Sequence, residues 1–424
     1  MSTIATPRPL TRHLQAVVAE RLSEEAVIVL SGARTVGKST LLRACAAALG
    51  TTVLDLDEPD TRAAVARDVG YYVAADAPEP VCIDEFQHVL PLLAAIKAEL
   101  NRDTHPGRYL LTGSTRYTTL PAASQSLAGR VHLLTMWPLS QGELNGSKET
   151  FLDTLMSNPA KLVARRPSPT RRSQYEAIIL AGGFPMAIER PDGQGRSRWF
   201  RDFVSTVVQR DVLEIRRVRQ RELLPRVLRH LAAQTAQVLN VSRIAEAMTV
   251  RSELVADYTQ LLEAVFLVHR LEAFGRTLSS AVRHYPKVHL VDSGLGGHLL
   301  GVTPARLLQR DAATLTEFGH LVETFAVNEI IKQSGWASLP VSFSHYRTRD
   351  GAEVDLVIEG EDGRVGAVEV KAAGASADTD FRGLRQLRAG LGDRFVGGVV
   401  LHLGERSNPH EDRLYSVPLD RLWS

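Results

Sequence analysis

The stretch Gly32-Ala33-Arg34-Thr35-Val36-Gly37-Lys38-Ser39 restricts the fold of this chain more than any other segment. Two glycines five residues apart, then Lys-Ser-Thr, match G-x-x-x-x-G-K-[ST], a pattern that works only between a strand and a helix. Both flanks meet that condition. "AVIVL" (26–30) precedes it, a short unbroken apolar run of the kind a doubly buried strand shows. "STLLRACAAAL" follows at helical length. The glycines admit backbone angles that turn successive N–H groups inward as an anion cradle, and the helix N-terminus adds its dipole. Gly32 to Thr40 is therefore the expected ATP-binding segment, with Lys38 on the β- and γ-phosphates and Ser39 holding Mg²⁺.

A nucleotide hydrolase needs carboxylates opposite that loop. "VCIDEFQ" ends an apolar run with Asp84 and Glu85. Asp84 is placed to join the Mg²⁺ shell, and Glu85 to orient and deprotonate the attacking water. Two acids at a buried strand end are costly without a nearby cation, which favours this reading over a structural one. "TTVLDL" (51–56) and "RYLLTGS" (108–114) are further strand-like runs, and "QHVLPLLAAIKAEL" between the last two has helical spacing. The alternation predicts a parallel sheet covered by helices. Thr112 and Ser114 sit where they could sense a γ-phosphate, or form an ordinary turn.

Length and composition set the outer bounds. A chain of 424 residues is too long for one ordinary core. The N-terminus "MSTIATPRPLTRHL" lacks the apolar core of an export signal, and no run approaches a membrane span. A cytoplasmic protein with no membrane partner is expected. Cys45 and Cys82, the two cysteines, lie in apolar segments and read as buried structural thiols. Net charge is +2, but residues 160–230 hold 16 Lys or Arg against 7 acids. That excess suits a polyanion, and it equally suits a solvated arginine-rich face. Arg216, Arg217, Arg219 and Arg221 are its densest run.

Past residue 146 the strand signal gives way to helices broken by Gly-Gly and Pro. "NVSRIAEAMTVRSELVADYTQLLEAVFLVHRL" then reads as a short helix capped by Ser242, a turn, a longer helix and a strand. This is a winged helix-turn-helix pattern. Its second helix carries Arg251 beside Glu253 and Asp257, a poor reader of bases, so packing on a neighbour competes with DNA reading as its use. From 317 onward the order is helix, three strands, helix, strand. Glu369 and Lys371 share a strand face because side chains repeat every second residue. Asp355 stands on the preceding strand and Glu323 on the preceding helix. Such carboxylates can hold Mg²⁺ while Lys371 positions water for phosphodiester attack. They can also form a salt-bridged cluster that cuts nothing.

"GARTVGKSTLL", "CIDEFQ", "LLTGST", "SLAGRV", "WPLSQGEL", "GGFPMAIE", "RDVLEI" and "PKVHLVDSGL" occur in this order. Together they resemble the bacterial and archaeal AAA-like P-loop ATPases that carry an uncharacterised C-terminal domain. The last segment is similar to restriction-endonuclease-like nucleases, whose acid and [DE]-x-K signature falls on Asp355, Glu369 and Lys371. The resemblance implies an α/β multidomain chain. Its parts are an ATPase core (1–145), a helical lid (146–231), a winged-helix-like domain (232–304) and a nuclease-like domain (305–424). It further implies an arginine near the transferring phosphoryl group, for which Arg130 and Arg210 are candidates; a surface or salt-bridge role serves either equally well. Arg34, within the loop, is also near phosphate on this reading. The activity expected is Mg²⁺-dependent ATP binding and hydrolysis coupled to nucleic-acid binding or processing, with DNA favoured over RNA. An ATP-driven switch acting through protein contacts is the alternative, and homo-oligomer formation stays open.

Overall fold

The short apolar runs of the first 145 residues align as one parallel sheet. The computed structural model describes residues 10–74, 76–116, 127, 129–190, 193–215, 220–275, 285–348 and 350–424. Strands β1 (Val27–Ser31), β2 (Val53–Asp55), β3 (Val81–Asp84), β4 (Tyr109–Gly113) and β5 (His132–Thr135) lie in the order β2-β3-β4-β1-β5. All their pairings are parallel. Every residue of β1, β3 and β4 is buried, as a sheet covered on both faces requires. Because β4 lies between β1 and β3, the loops that leave β1 and β3 flank its end. Helix α1 (Lys38–Leu49) starts directly after the glycine loop. Cys45 and Cys82 are both buried and unpaired, as expected.

The middle of the chain holds helices α2 (Val241–Met248) and α3 (Ser252–Ala264) beside a small antiparallel sheet. Its strands β6 (Gln237–Val238), β7 (Val268–Leu271) and β8 (Lys287–Leu290) run in the order β6-β8-β7. The cap of α2 is Asn240 rather than the expected Ser242: its side chain accepts from the Arg243 N–H at 2.9 Å. Asn is as good a cap as Ser, and here it stands at the residue where the helix begins. Arg216, Arg217 and Arg219 lie outside the described residues.

Helix α4 (Ala312–Gln333), strands β9 (Val341–Arg347), β10 (Glu353–Gly360) and β11 (Val365–Lys371), helix α5 (Arg382–Leu391) and strand β12 (Phe395–His402) follow in the expected order. With β13 (Asn408–Glu411) and β14 (Leu414–Pro418) they form a sheet ordered β13-β14-β12-β11-β10-β9. Pairing is antiparallel from β9 to β11 and parallel from β11 through β12 to β14.

Packing divides the 146–231 span between two cores. Phe151, Leu155, Tyr175 and Ile179 pack with Leu321, Phe325, Val368 and Leu401 of the C-terminal unit. Trp199, Phe203, Val208 and Val212 instead join Leu30, Leu41 and Leu42 of the first sheet and Leu262 of the middle unit. Each such side chain contributes about 1.5–3 kcal/mol when removed from water. The first half of this span therefore stabilises the C-terminal unit, and the second half covers the glycine loop's own core. Backbone hydrogen bonds also join the middle and C-terminal units, His345 N–H to Glu272 O at 2.9 Å and Phe274 N–H to His345 O at 2.6 Å.

Candidate functional site

The loop between β1 and α1 is shaped by its glycines. Gly37 sits at φ 103°, a left-handed backbone that side chains resist. A Cβ on Gly32 would lie 2.3 Å from the Met136 carbonyl oxygen, so only glycine fits there. Ala33 and Val36 are buried beneath the loop, while Thr40 is exposed on the first turn of α1. Lys38 turns back over the loop. Its Nζ donates to Gly32 O at 3.1 Å and Ala33 O at 3.0 Å, and stands 3.9 Å from Glu85 Oε1. Burial pulls the Lys38 pKa below its ordinary value, and the carboxylates of Glu85 and Asp84 offset this only in part.

Asp84 and Glu85 face that loop from the end of β3. Asp84 accepts a hydrogen bond from the Thr112 hydroxyl of β4, and Ser39 lies close enough to favour its charged form. Burial raises its pKa against both. Glu85 has φ 52°, an uncommon backbone for a non-glycine residue. Its Oε2 accepts from the Ser114 N–H at 3.1 Å and from the Gln87 amide. Gln87 also donates to Ser114 Oγ at 3.1 Å. Thr112 and Ser114 thus hold the two acids in place. Lys38, Ser39, Asp84 and Glu85 converge, as their spacing predicts.

The arginines behave differently. Arg130 donates to Asn101 Oδ1 at 2.6 Å, on the surface. Arg210 pairs with Asp57 at 3.5 Å and is half exposed. The contact from "QRDV" to the loop is made by the next residue, Asp211, whose carboxylate takes Arg34 Nε at 3.2 Å. Burial disfavours the Arg34 charge, but Asp211 and Glu85 outweigh it and raise its pKa. Sequence reasoning also missed Arg12. This buried residue donates to Val36 O at 2.7 Å, Trp137 O at 2.7 Å and Glu143 Oε1 at 2.9 Å. It carries no motif, since its partners lie in other segments. Beside it, Leu10, Thr11, Val36, Thr40, Leu41 and Pro185 line a mostly apolar groove of about 490 Å³.

A second constellation lies at the C-terminal sheet. Lys371 Nζ stands 2.6 Å from Glu369 Oε1, as their shared strand face predicts. Asp355 Oδ2 accepts from the Val370 N–H at 2.9 Å. The β9–β10 register shifts between Val354 and Val357, and these two residues enter the same core although three positions apart. That bulge re-aims Asp355, a usual role for an extra residue in a strand. Glu323 reaches the same place from α4. The residue that joins them is Lys287, from β8 of the middle unit. Its Nζ is 2.8 Å from Glu323 Oε1, Glu353 Oε1 and Asp355 Oδ1 alike. Glu353 could have been found by alternation from Asp355; Lys287 lies inside the quoted segment "PKVHLVDSGL", but nothing local ties it to the acids.

Charge in this cluster is unevenly shared. Burial opposes every ion, yet Lys287 beside Asp355 keeps that acid below its ordinary pKa. Burial and Asp355 push Glu323 well up and raise Glu369 to about 8. Around it opens a pocket of about 650 Å³, with Gln237, His320, Arg347 and Arg382 among its lining.

Three family models match the chain. An AAA domain covers residues 24–145, and two domains of unknown function cover 172–306 (DUF8612) and 318–422 (DUF4143). Uncharacterized proteins of Mycobacterium tuberculosis and Mycobacterium bovis are each 23% identical over 412 residues, 97% of this chain and 84% of theirs. The Walker-type ATPase of Pyrococcus abyssi overlaps 69% of this chain and 99% of its own, at 15% identity and a TM-score of 0.43. The N-terminal unit is an AAA-like P-loop ATPase domain. Among the described residues no helix is long and apolar enough to cross a membrane.

Proposed function

We propose that this chain binds and hydrolyses ATP with Mg²⁺, and that its nucleotide state acts on the C-terminal pocket. The observation that carries the first part is Lys38. It is buried, its hydrogen bonds go to two carbonyls, and its nearest carboxylate oxygen is 3.9 Å away. A buried ammonium so weakly neutralised favours an anion, and the loop N–H groups favour the same one. The phosphates lie on Gly32 to Ser39, and the base lies in the apolar groove beside Arg12. Ser39 and Asp84 suit Mg²⁺, because a buried acid whose pKa is raised by desolvation is relieved by a cation. The ion supplies charge neutralisation on the phosphoryl oxygens. Glu85, held by Ser114 and Gln87, orients water for attack and takes its proton. Arg34 serves as a charge near the γ-phosphate that Asp211 holds ready, with Arg210 as a neighbour. Arg130, on its bond to Asn101, is the weaker candidate.

The test is nucleotide titration of the full chain. Lys38→Ala should weaken ATP binding on the order of a hundredfold, the worth of a charged hydrogen-bonded contact of up to ~3 kcal/mol. Equal affinity in both proteins would remove the nucleotide site from this loop.

For the C-terminal unit, Glu323, Asp355, Glu369 and Lys371 around one pocket support a restriction-endonuclease-like site for nucleic acid, with DNA the favoured polymer. Arg347 and Arg382 line it where phosphates would pass. The donor set fits a divalent ion: all oxygen, with Glu369 Oε2 buried and accepting no hydrogen bond among the described residues. Lys287 between the acids favours a gated form over free cutting. Nucleic acid should raise ATP turnover, with an effect that fades as salt rises. Turnover indifferent to DNA and RNA would favour the protein-contact switch.

A further inference from the structure

Lys287 opens β8 in the middle unit, yet its side chain ends in the C-terminal pocket. It is 1% exposed, its Nζ donates to Glu323 and Asp355, and carboxylate oxygens of Glu323, Glu353 and Asp355 all lie at 2.8 Å. A point that close to three carboxylate oxygens is also where a small oxygen-seeking cation gains most. Two cations cannot share it, since like charges repel strongly in a buried site. The inner cluster still has acids in excess: Glu323, Glu353, Asp355 and Glu369 face only Lys287 and Lys371. One acceptor is idle, the buried Oε2 of Glu369 on a residue 6% exposed. Exchanging a monovalent ammonium for a divalent ion supplies more positive charge to this excess of acids and gives the idle oxygen a partner.

We propose that Lys287 is an internal competitor for a divalent cation. Metal takes Glu323, Asp355 and Glu369 only as Lys287 withdraws, and withdrawal shifts β8 against α4. This rests on reading the pocket as a cation and nucleic-acid site. The β8–α4 boundary suits such a shift because it is joined by exchangeable polar contacts rather than by interlocked apolar side chains. His289 meets the Thr324 hydroxyl at 3.2 Å, and Asn328 donates to Leu290 O at 2.9 Å. Farther along the same helix, Glu329 accepts from Gln141 N–H at 2.8 Å and Lys332 donates to Leu139 O at 3.0 Å. Those partners belong to the segment that Arg12 ties to the glycine loop through Glu143 and Trp137. One helix therefore touches both the ATPase unit and the lysine-filled pocket.

The experiment measures Mn²⁺ binding to the nucleotide-free full chain by electron paramagnetic resonance and calorimetry. Lys287→Gln should bind one Mn²⁺ about tenfold or more tightly than wild type, the size of a one-unit charge effect. Adding Asp355→Asn should abolish the gain. If wild type and Lys287→Gln bind with equal affinity, the pocket takes metal beside the lysine and the competition is refuted while the site survives. If neither binds, the site itself is refuted. Should Lys287→Gln fail to fold, amine acetylation of the wild-type chain decides, read at Lys287 by mass spectrometry. Labelling that rises with Mn²⁺ supports displacement, and labelling unmoved by it overturns the proposal.

Discussion

Lys38 and Lys287 are the same residue type at similar burial, 4% and 1% exposed, and their environments move them in opposite directions. Burial prevails at Lys38, whose pKa falls. At Lys287 burial is outweighed by Asp355, Glu323 and Glu353, and the pKa rises well above the ordinary value. At the glycine loop Lys38 Nζ stands 3.9 Å from Glu85, with no carboxylate in hydrogen-bond contact among the described residues, which suits a phosphate. The C-terminal pocket is short of positive charge, which suits a cation. Burial of a lysine says nothing about its role until the charges within hydrogen-bond reach are counted.

The largest expected effect tests whether the loop is a working site. Glu85→Gln should keep ATP bound and lower turnover by about 10²–10⁴-fold, the usual worth of a positioned general base. Normal steady-state phosphate release in that variant would move the base elsewhere.

Next in size is a paired comparison of Lys287→Met and Lys38→Met, read by chemical denaturation of the full chain. Lys287→Met leaves three buried or half-buried carboxylates without their shared partner, and should destabilise by about 3–5 kcal/mol. Lys38→Met removes a poorly neutralised buried charge, so it should leave stability unchanged or raise it slightly. Equal losses in the two variants would mean that the contrast in charge balance has no energetic content.

The smallest effect concerns acid stability where β7 meets α4. Burial lowers the pKa of His269 to about 4, against 6.5 when exposed, despite its 2.8 Å contact with Asn328. The unfolded chain therefore binds the extra proton first. His269 contributes stability that is fully present above pH 6.5 and is lost as pH falls towards 4. His269→Gln should flatten the melting temperature between those limits. An unchanged slope would locate the acid sensitivity in other groups.

Local pattern made the loop site legible. Gly32, Gly37, Lys38 and Ser39 are neighbours in the chain, and Asp84 and Glu85 terminate one buried strand, so each could be read from spacing and period. Glu369 and Lys371 were legible for the same reason. The cap of α2 was misread by two residues, because Asn240 and Ser242 are both good caps and only the helix start decides between them. The extent of a separate lid was harder to foresee. Residues 151–180 have helical spacing that fits any apolar face, and it was the C-terminal sheet that had a face to cover.

By itself the sequence determined the glycine loop, the parallel sheet and the order of elements around Asp355, Glu369 and Lys371, all features set by backbone geometry and short-range periodicity. Only the tertiary structure decided which charges meet. Asp211 rather than Arg210 reaches the loop through Arg34, and Lys287 crosses from the middle unit to Glu323, Glu353 and Asp355. Electrostatic partners are chosen by distance in space, and a separation of 36 residues between Lys287 and Glu323 leaves no periodic trace in the chain.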